Sequence, residues 1–180
     1  MAGFPLIEPE TADGETADLL AATQRVLGIT PNLARALANS PAALRSYLGF
    51  SGALRGGSLP PAIREQVALL VAQQMRCDYC LSAHSYTGAK LAGLSPMEAS
   101  RARRGEASDP VAASALAFAA AVLRGRGRVT DGEHAAARRD GLSEGQLAEV
   151  VAHVALAIFT SLFAKAARVD VDWPLVRHTG

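Results

Sequence analysis

Apolar residues recur along this chain at intervals of three and four rather than two. Leu116, Ala119, Ala120 and Leu123 form one such set, and Val67, Leu70 and Val71 belong to another; this spacing lines one face of a helix. No segment alternates apolar and polar residues between turn signals as a half-buried strand would. Only the short stretch Arg168–Trp173 is suited to running extended. Helix starts are spelled out between the apolar sets. Thr30-Pro31 and Ser40-Pro41 each place an N-cap residue before a proline at the first helical position. Pro60-Pro61 and Asp109-Pro110 open two more helices. Ser95-Pro96-Met97-Glu98, Thr130-Asp131-Gly132-Glu133 and Ser143-Glu144-Gly145-Gln146 have the spacing of capping boxes. Gly93 and Gly141 stand where helices should stop. The pattern predicts an all-α chain of seven or eight helices, with residues 1–17 loosely ordered and a single domain over residues 18–175.

Composition narrows this further. Hydrophobic residues make up 49% of the 180 and aromatics only 5%, so the apolar content is mostly Ala, Leu and Val and suits closely packed helices. The net charge is +1 and no Lys/Arg run is interleaved with aromatics, which argues against a nucleic-acid partner. Arg124, Arg126 and Arg128 alternate with glycines and read as a solvated turn. The N-terminus has no basic segment followed by an apolar one, so no signal peptide is expected. Leu147–Ala164 is long and apolar enough to raise the question of a membrane. Glu149 and His153 lie inside it, and it reads as a buried core or subunit-interface helix, with no membrane partner. The expected location is therefore the cytoplasm, where two cysteines three apart more often serve catalysis or metal binding than stapling.

Both cysteines fall in Cys77-Asp78-Tyr79-Cys80-Leu81-Ser82-Ala83-His84. A disulfide between them would close too small a loop to stabilise the fold much. If residues from about 77 onward are helical, Cys77 sits at an N-terminus, where the dipole and unpaired N–H groups favour a thiolate. His84 is one turn past Cys80 on the same face. Glu65 lies 12 residues before Cys77, about 18 Å along an unbroken helix at ~1.5 Å per residue. For Glu65 to share a site with the cysteines, the chain has to bend near Gln74–Cys77. Zinc is the rival reading: Cys77, Cys80 and His84 are ligand types, with Glu65 or water as a fourth. A second Cys/His pair is missing, and His134, His153 and His178 are not grouped. There is also a faint internal repeat. Shifted by 84 positions, Ile63, Glu65 and Val67 fall on Leu147, Glu149 and Val151, while Cys77, Cys80 and His84 fall on Ser161, Ala164 and Arg168. A CxxC-bearing half at about 58–93 would thus have a degenerate copy at about 142–168, with Glu149 serving packing and His153 a satisfied core or interface residue. Asp170, Asp172 and Trp173 read as a tail that docks on the core or on a neighbour.

Glu65 followed by Cys77-x-x-Cys80-x-x-x-His84, in an all-α chain, resembles the alkylhydroperoxidase D (AhpD)-like, peroxidase-related branch of the carboxymuconolactone decarboxylase superfamily. Residues 31–54, the DPVAASALAFAAAVL stretch and the segment from Val129 to Pro174 are similar to its members as well. The resemblance implies an AhpD-like helical fold with a degenerate repeat and a thiol peroxidase, working without metal or organic cofactor. It implies Cys80 as the nucleophile toward peroxide, Cys77 as its resolving partner, and His84 with Glu65 as a proton relay. An unidentified dithiol or protein reductant would restore the thiols, and trimers or hexamers of the chain are implied. Some members carry a relay histidine between the cysteines; here Asp78 and Tyr79 stand there, and Tyr79 either joins the relay or packs at the site. Decarboxylases of the superfamily lack the thiol pair, which argues against that activity here.

Overall fold

The computed structural model describes residues 3–179. Among them are nine α-helices and no strand: α1 (Gly14–Leu27), α2 (Asn32–Leu37), α3 (Pro41–Arg55), α4 (Pro61–Gln74), α5 (Asp78–Leu91), α6 (Pro96–Arg103), α7 (Pro110–Arg124), α8 (Asp131–Arg139) and α9 (Glu144–Ala166). The all-α expectation holds. The helix beyond the expected seven or eight is α1, whose start carries no legible signal. Its N-cap, Asp13, makes no side-chain capping bond. Of the segment expected to be loosely ordered, residues 1 and 2 lie outside the described residues, and two of the others bond to the core. Phe4 donates its backbone N–H to Ala167 O at 2.9 Å and stacks edge-on against Phe163, and Ile7 N–H reaches Arg35 O at 3.2 Å.

The core is built around α4, which packs against α5, α6, α7 and α9. Ile63, Gln66, Val67, Ala68, Leu69, Leu70, Val71 and Ala72 are all buried, so α4 is covered on nearly every side, as an apolar helix without a polar face must be. The alanines of α7 (Ala112, Ala115, Ala119 and Ala121 among them) are buried too; small side chains let that helix lie close to α4 and α9.

Most helix starts are capped as the sequence indicates. Ser40 Oγ accepts from Ala43 N–H, Asp109 Oδ1 accepts from Ala112 N–H, and complete capping boxes form at Thr130 and Ser143. Two starts differ. Ser95 caps Glu98 N–H, but the Glu98 carboxylate does not return the bond, because Ser108 N–H and Oγ–H take it at 3.1 and 2.6 Å. Thr30 does not cap α2; its hydroxyl turns to Gln24, the N-cap is Pro31, and Asp172 of the C-terminal tail accepts Asn32 N–H at 2.6 Å. A distant carboxylate does the capping, which local spacing cannot reveal.

The second copy expected at about 142–168 differs in backbone from the first. Where residues 74–77 turn, the offset residues 158–161 continue straight through the 23-residue α9. Glu149 is a staple in this arrangement. Its carboxylate accepts from Ser58 N–H, Ser58 Oγ–H and Leu59 N–H, each at 2.8 Å, tying α9 to the loop that enters α4. Gly57 gives the carboxylate room, since a Cβ there would lie 2.6–2.9 Å from it.

Candidate active site

The bend falls where Glu65 requires it. α4 stops at Gln74, Arg76 takes the left-handed conformation (φ +51°), and Arg76 and Cys77 donate back to Gln73 O and Ala72 O at 3.1 and 3.0 Å. These paired bonds close the helix end that a glycine commonly closes. α5 then runs back along α4. Glu65 on α4 and His84 on α5, 19 positions apart, meet with Nδ1 and Oε2 at 2.9 Å, and Thr87 Oγ1–H donates to the same oxygen at 2.8 Å. Glu65, Cys77, Cys80 and His84 are thus carried by one helix pair. Thr87, one turn beyond His84 on the same face, is a member of the site that the motif does not advertise.

The electrostatics of the pair follow from its surroundings. Burial would raise the Glu65 carboxyl, but the His84 charge and the bonds from His84 and Thr87 outweigh it and hold the carboxyl below its ordinary value. Burial would lower the His84 imidazole, but the Glu65 carboxylate wins and raises it. The pair therefore favours imidazolium beside carboxylate, an acid held ready by its own counter-charge.

Cys77 is the N-cap of α5, and its Sγ accepts Cys80 N–H at 3.3 Å. Its thiol is lowered to about 7, chiefly by the hydrogen bond it accepts from the Cys80 thiol, with the Cys80 amide, Ser161 and the His84 charge assisting against burial. Cys80 is raised, as donor of that bond, by burial and by the charge of Cys77. Ser161 Oγ–H points at Cys80 Sγ from 3.5 Å, and Thr160 Oγ1 is 3.9 Å away. The two thiols behave as one acid that loses its first proton near neutrality and keeps the second between the sulfurs. Ser161 was legible in sequence only as the offset partner of Cys77, and Thr160 not at all; both reach Cys80 from α9. Both cysteines are free and almost fully buried.

Tyr79 turns its hydroxyl toward α2 and the tail. Its hydroxyl accepts Leu33 N–H of α2 at 3.1 Å and Trp173 Nε1–H of the tail at 3.3 Å, so it packs and anchors. Its neighbour Asp78 holds the tail from the other side, accepting from the backbone and ring of His178 at 2.8 and 2.7 Å. The tail therefore docks on the core, as Asp170, Asp172 and Trp173 suggested. His153 is not the satisfied histidine expected. Its Nε2 is buried without a partner, and burial and the Arg64 charge push its pKa down, so it stands neutral behind Glu65 and His84. Tyr47 of α3 completes this side, its phenol raised by burial against the opposing Arg55 charge and raised further by the charges of Cys80 and Glu65. Among the described residues, no three His, Cys, Asp or Glu side chains are grouped as a metal ion would require.

A thiol pair capping a helix, set beside a carboxylate–imidazole pair in an all-α bundle, defines a helical dithiol protein. Residues 41–121 match the model of the carboxymuconolactone decarboxylase family. The fold is the AhpD-like one. An uncharacterized peroxidase-related protein with an alkylhydroperoxidase AhpD core, from Ralstonia eutropha JMP134, aligns over 95% of this chain and 92% of its own, with 20% identity and a TM-score of 0.84. Another peroxidase-related protein, from Silicibacter sp. TM1040, aligns over 93% and 91%, with 23% identity and a TM-score of 0.79. The debrominase Bmp8, solved as a cysteine-to-alanine variant in complex with 2,3,4-tribromopyrrole, aligns over 94% and 91%, with 17% identity and a TM-score of 0.79. At these identities the likenesses establish the fold alone. No curated protein sequence matches the chain.

Proposed function

We propose that the chain is a thiol peroxidase, reducing a hydroperoxide at Cys80 and passing through a Cys77–Cys80 disulfide. The observation that carries this is the 2.9 Å contact between His84 and Glu65 one turn from a dithiol that shares its remaining proton. In the resting pair the charge sits on Cys77. Moving the shared proton along the hydrogen bond from Cys80 to Cys77 exposes the Cys80 thiolate, so Cys77 acts as the local base. The Cys80 sulfur attacks the terminal peroxide oxygen, the O–O bond breaks, and the departing alkoxide takes a proton from His84. Cys80 becomes a sulfenic acid. Cys77 then attacks that sulfur, releasing water and forming the disulfide before further oxidation. One peroxide consumes two thiols and yields one alcohol and one water; a dithiol or protein reductant restores the pair. His84 takes the acid step in this reading because it follows Cys80 by one helical turn, and its charge also lowers the Cys77 thiol. Bmp8, which shares the fold, is a debrominase solved with 2,3,4-tribromopyrrole, so a brominated pyrrole belongs beside hydroperoxides among the substrates to assay.

Excess alkyl hydroperoxide should remove two thiols per chain, and dithiothreitol should return them. Cys77→Ser should still trap a sulfenic acid and Cys80→Ser should not. Unchanged thiols, or the reverse pattern in the two variants, overturns the assignment. His84→Gln should slow peroxide turnover by about 10²- to 10⁴-fold, the range for a positioned acid–base group. Activity that survives loss of both cysteines would point to lactone or decarboxylase chemistry instead.

A further inference from the structure

Both cysteines are buried and both meet Ser161 of α9, but their remaining neighbours differ. Cys80 points inward, against Thr160 and Ser161 of α9. Cys77 instead forms part of the wall of a surface cleft of about 220 Å³ between the α4–α5 bend and the end of α9. Among the described residues, Arg76, Lys165 and Arg168 line that cleft together with Asp78. Asp78 is already engaged by His178 and lies 3.9 Å from Arg177. Lys165 anchors its ammonium on Met75 O at 3.0 Å, and both Arg76 and Lys165 are exposed. A cleft wall that includes the buried Cys77 is thus bordered by the exposed cations Arg76 and Lys165.

We infer that this cleft is where the reductant docks, and that it selects thiols carrying a negative charge. The inference rests on the redox reading of the cysteine pair and adds to it the face and the charge of the electron donor. A thiolate attacks Cys77 Sγ of the disulfide. The Cys77–Cys80 bond breaks, its electron pair goes to Cys80, and Cys80 takes up a proton, leaving the donor joined to Cys77 as a mixed disulfide. A second donor thiolate attacks the donor sulfur, forms the donor disulfide and releases Cys77 as a thiolate. Two thiols are oxidised and the protein disulfide is reduced. An anionic group beside the donor sulfur gains from the cations at low ionic strength, and that gain is screened by salt.

The test starts from protein oxidised with diamide, so it does not depend on peroxide. Three donors are compared at equal thiolate concentration: 2-mercaptoethanesulfonate (anionic), 2-mercaptoethanol (neutral) and cysteamine (cationic). The protein thiols regained are counted by maleimide labelling after an acid quench. At low salt the sulfonate should react about 10-fold faster than cysteamine, and the ratio should fall toward one as salt shortens the Debye length to ~3 Å at about 1 M. Arg76→Glu and Lys165→Glu, made separately, should each reduce or invert the preference. Equal rates at low salt, or a preference that both variants retain, overturns the inference. If diamide forms no disulfide, the redox reading falls together with this one. If the disulfide forms and the charge preference holds but peroxide fails to make it, the peroxidase reading fails and the donor site stands.

Discussion

At the scale of single residues, the site is a proton-sharing problem. Cys77 owes most of its lowered value, about 7, to the Cys80 thiol. Cys80→Ala should therefore return Cys77 toward the ordinary thiol range near ~8.5, read as the midpoint of thiolate absorbance at 240 nm. A midpoint that stays near 7 would credit the helix terminus instead. The residue types of the site were visible in the sequence because Cys-x-x-Cys-x-x-x-His spacing survives any backbone that keeps α5 helical. The left-handed backbone at Arg76, Arg126 and Arg168 was not. Each ends a helix where glycine is the ordinary choice, and nothing in an arginine signals φ +51°. Arg126→Gly should relieve about 1 kcal/mol of left-handed strain and raise the Tm by a few degrees, measured by calorimetry. Glycines that are needed for space are equally silent: a Cβ on Gly125 would lie 1.9 Å from Arg128 O.

At the scale of elements, the distinction that matters is between a stretch that bends and one that does not. Residues 61–91 form two helices, α4 and α5, and the bend between them brings Glu65 to His84. The offset stretch forms the single α9. The bend was legible by a distance argument, since an unbroken helix would have kept Glu65 some 18 Å from the cysteines at ~1.5 Å per residue. The straightness of α9 was legible only as apolar continuity. Glu149 shows what the second stretch contributes: three bonds that fix the loop into α4. Glu149→Ala leaves Ser58 N–H and Leu59 N–H to water or unpaired, at a cost of about 1–3 kcal/mol. A lowered Tm with thiol chemistry retained is the expected result; loss of peroxide reactivity without loss of stability would give Glu149 a role in the site. The capping of α2 by Asp172 and the anchoring of the tail by Tyr79 were illegible for a common reason: both join residues more than 90 positions apart.

At the scale of the whole molecule, α9 poses the question of what covers it. It is the helix among the described residues that is long and apolar enough to cross a membrane, yet 39% of its most apolar window is already buried within the bundle. Val151, Phe159 and Leu162 are 43%, 38% and 54% exposed and, with Ala148 and Ala155, follow the three- and four-residue spacing of one face. A stripe of this kind fits association with further copies of the chain, in line with the trimers or hexamers implied by the resemblance. Light scattering should report an oligomer, and Leu162→Glu should shift it toward monomer. A wild-type monomer would leave the stripe to another partner.

The N-cap of α5 is a sulfur, and that ties the start of the helix to the oxidation state of the cysteine pair. A reduced Cys77 accepts the Cys80 amide as a thiolate; a disulfide sulfur accepts it only as a neutral atom, so oxidation weakens the cap. The folded chain thereby favours its own reduced form, which makes its disulfide a stronger oxidant than the same pair in an unfolded chain. The sign with pH follows from the lowered value of Cys77. This contribution is fully present above the ordinary thiol range and is lost as pH falls through about 7. By this linkage α5 is most firmly wound when its cysteines are reduced, and on the proposed reading each oxidation would loosen its first turn until the thiols are restored.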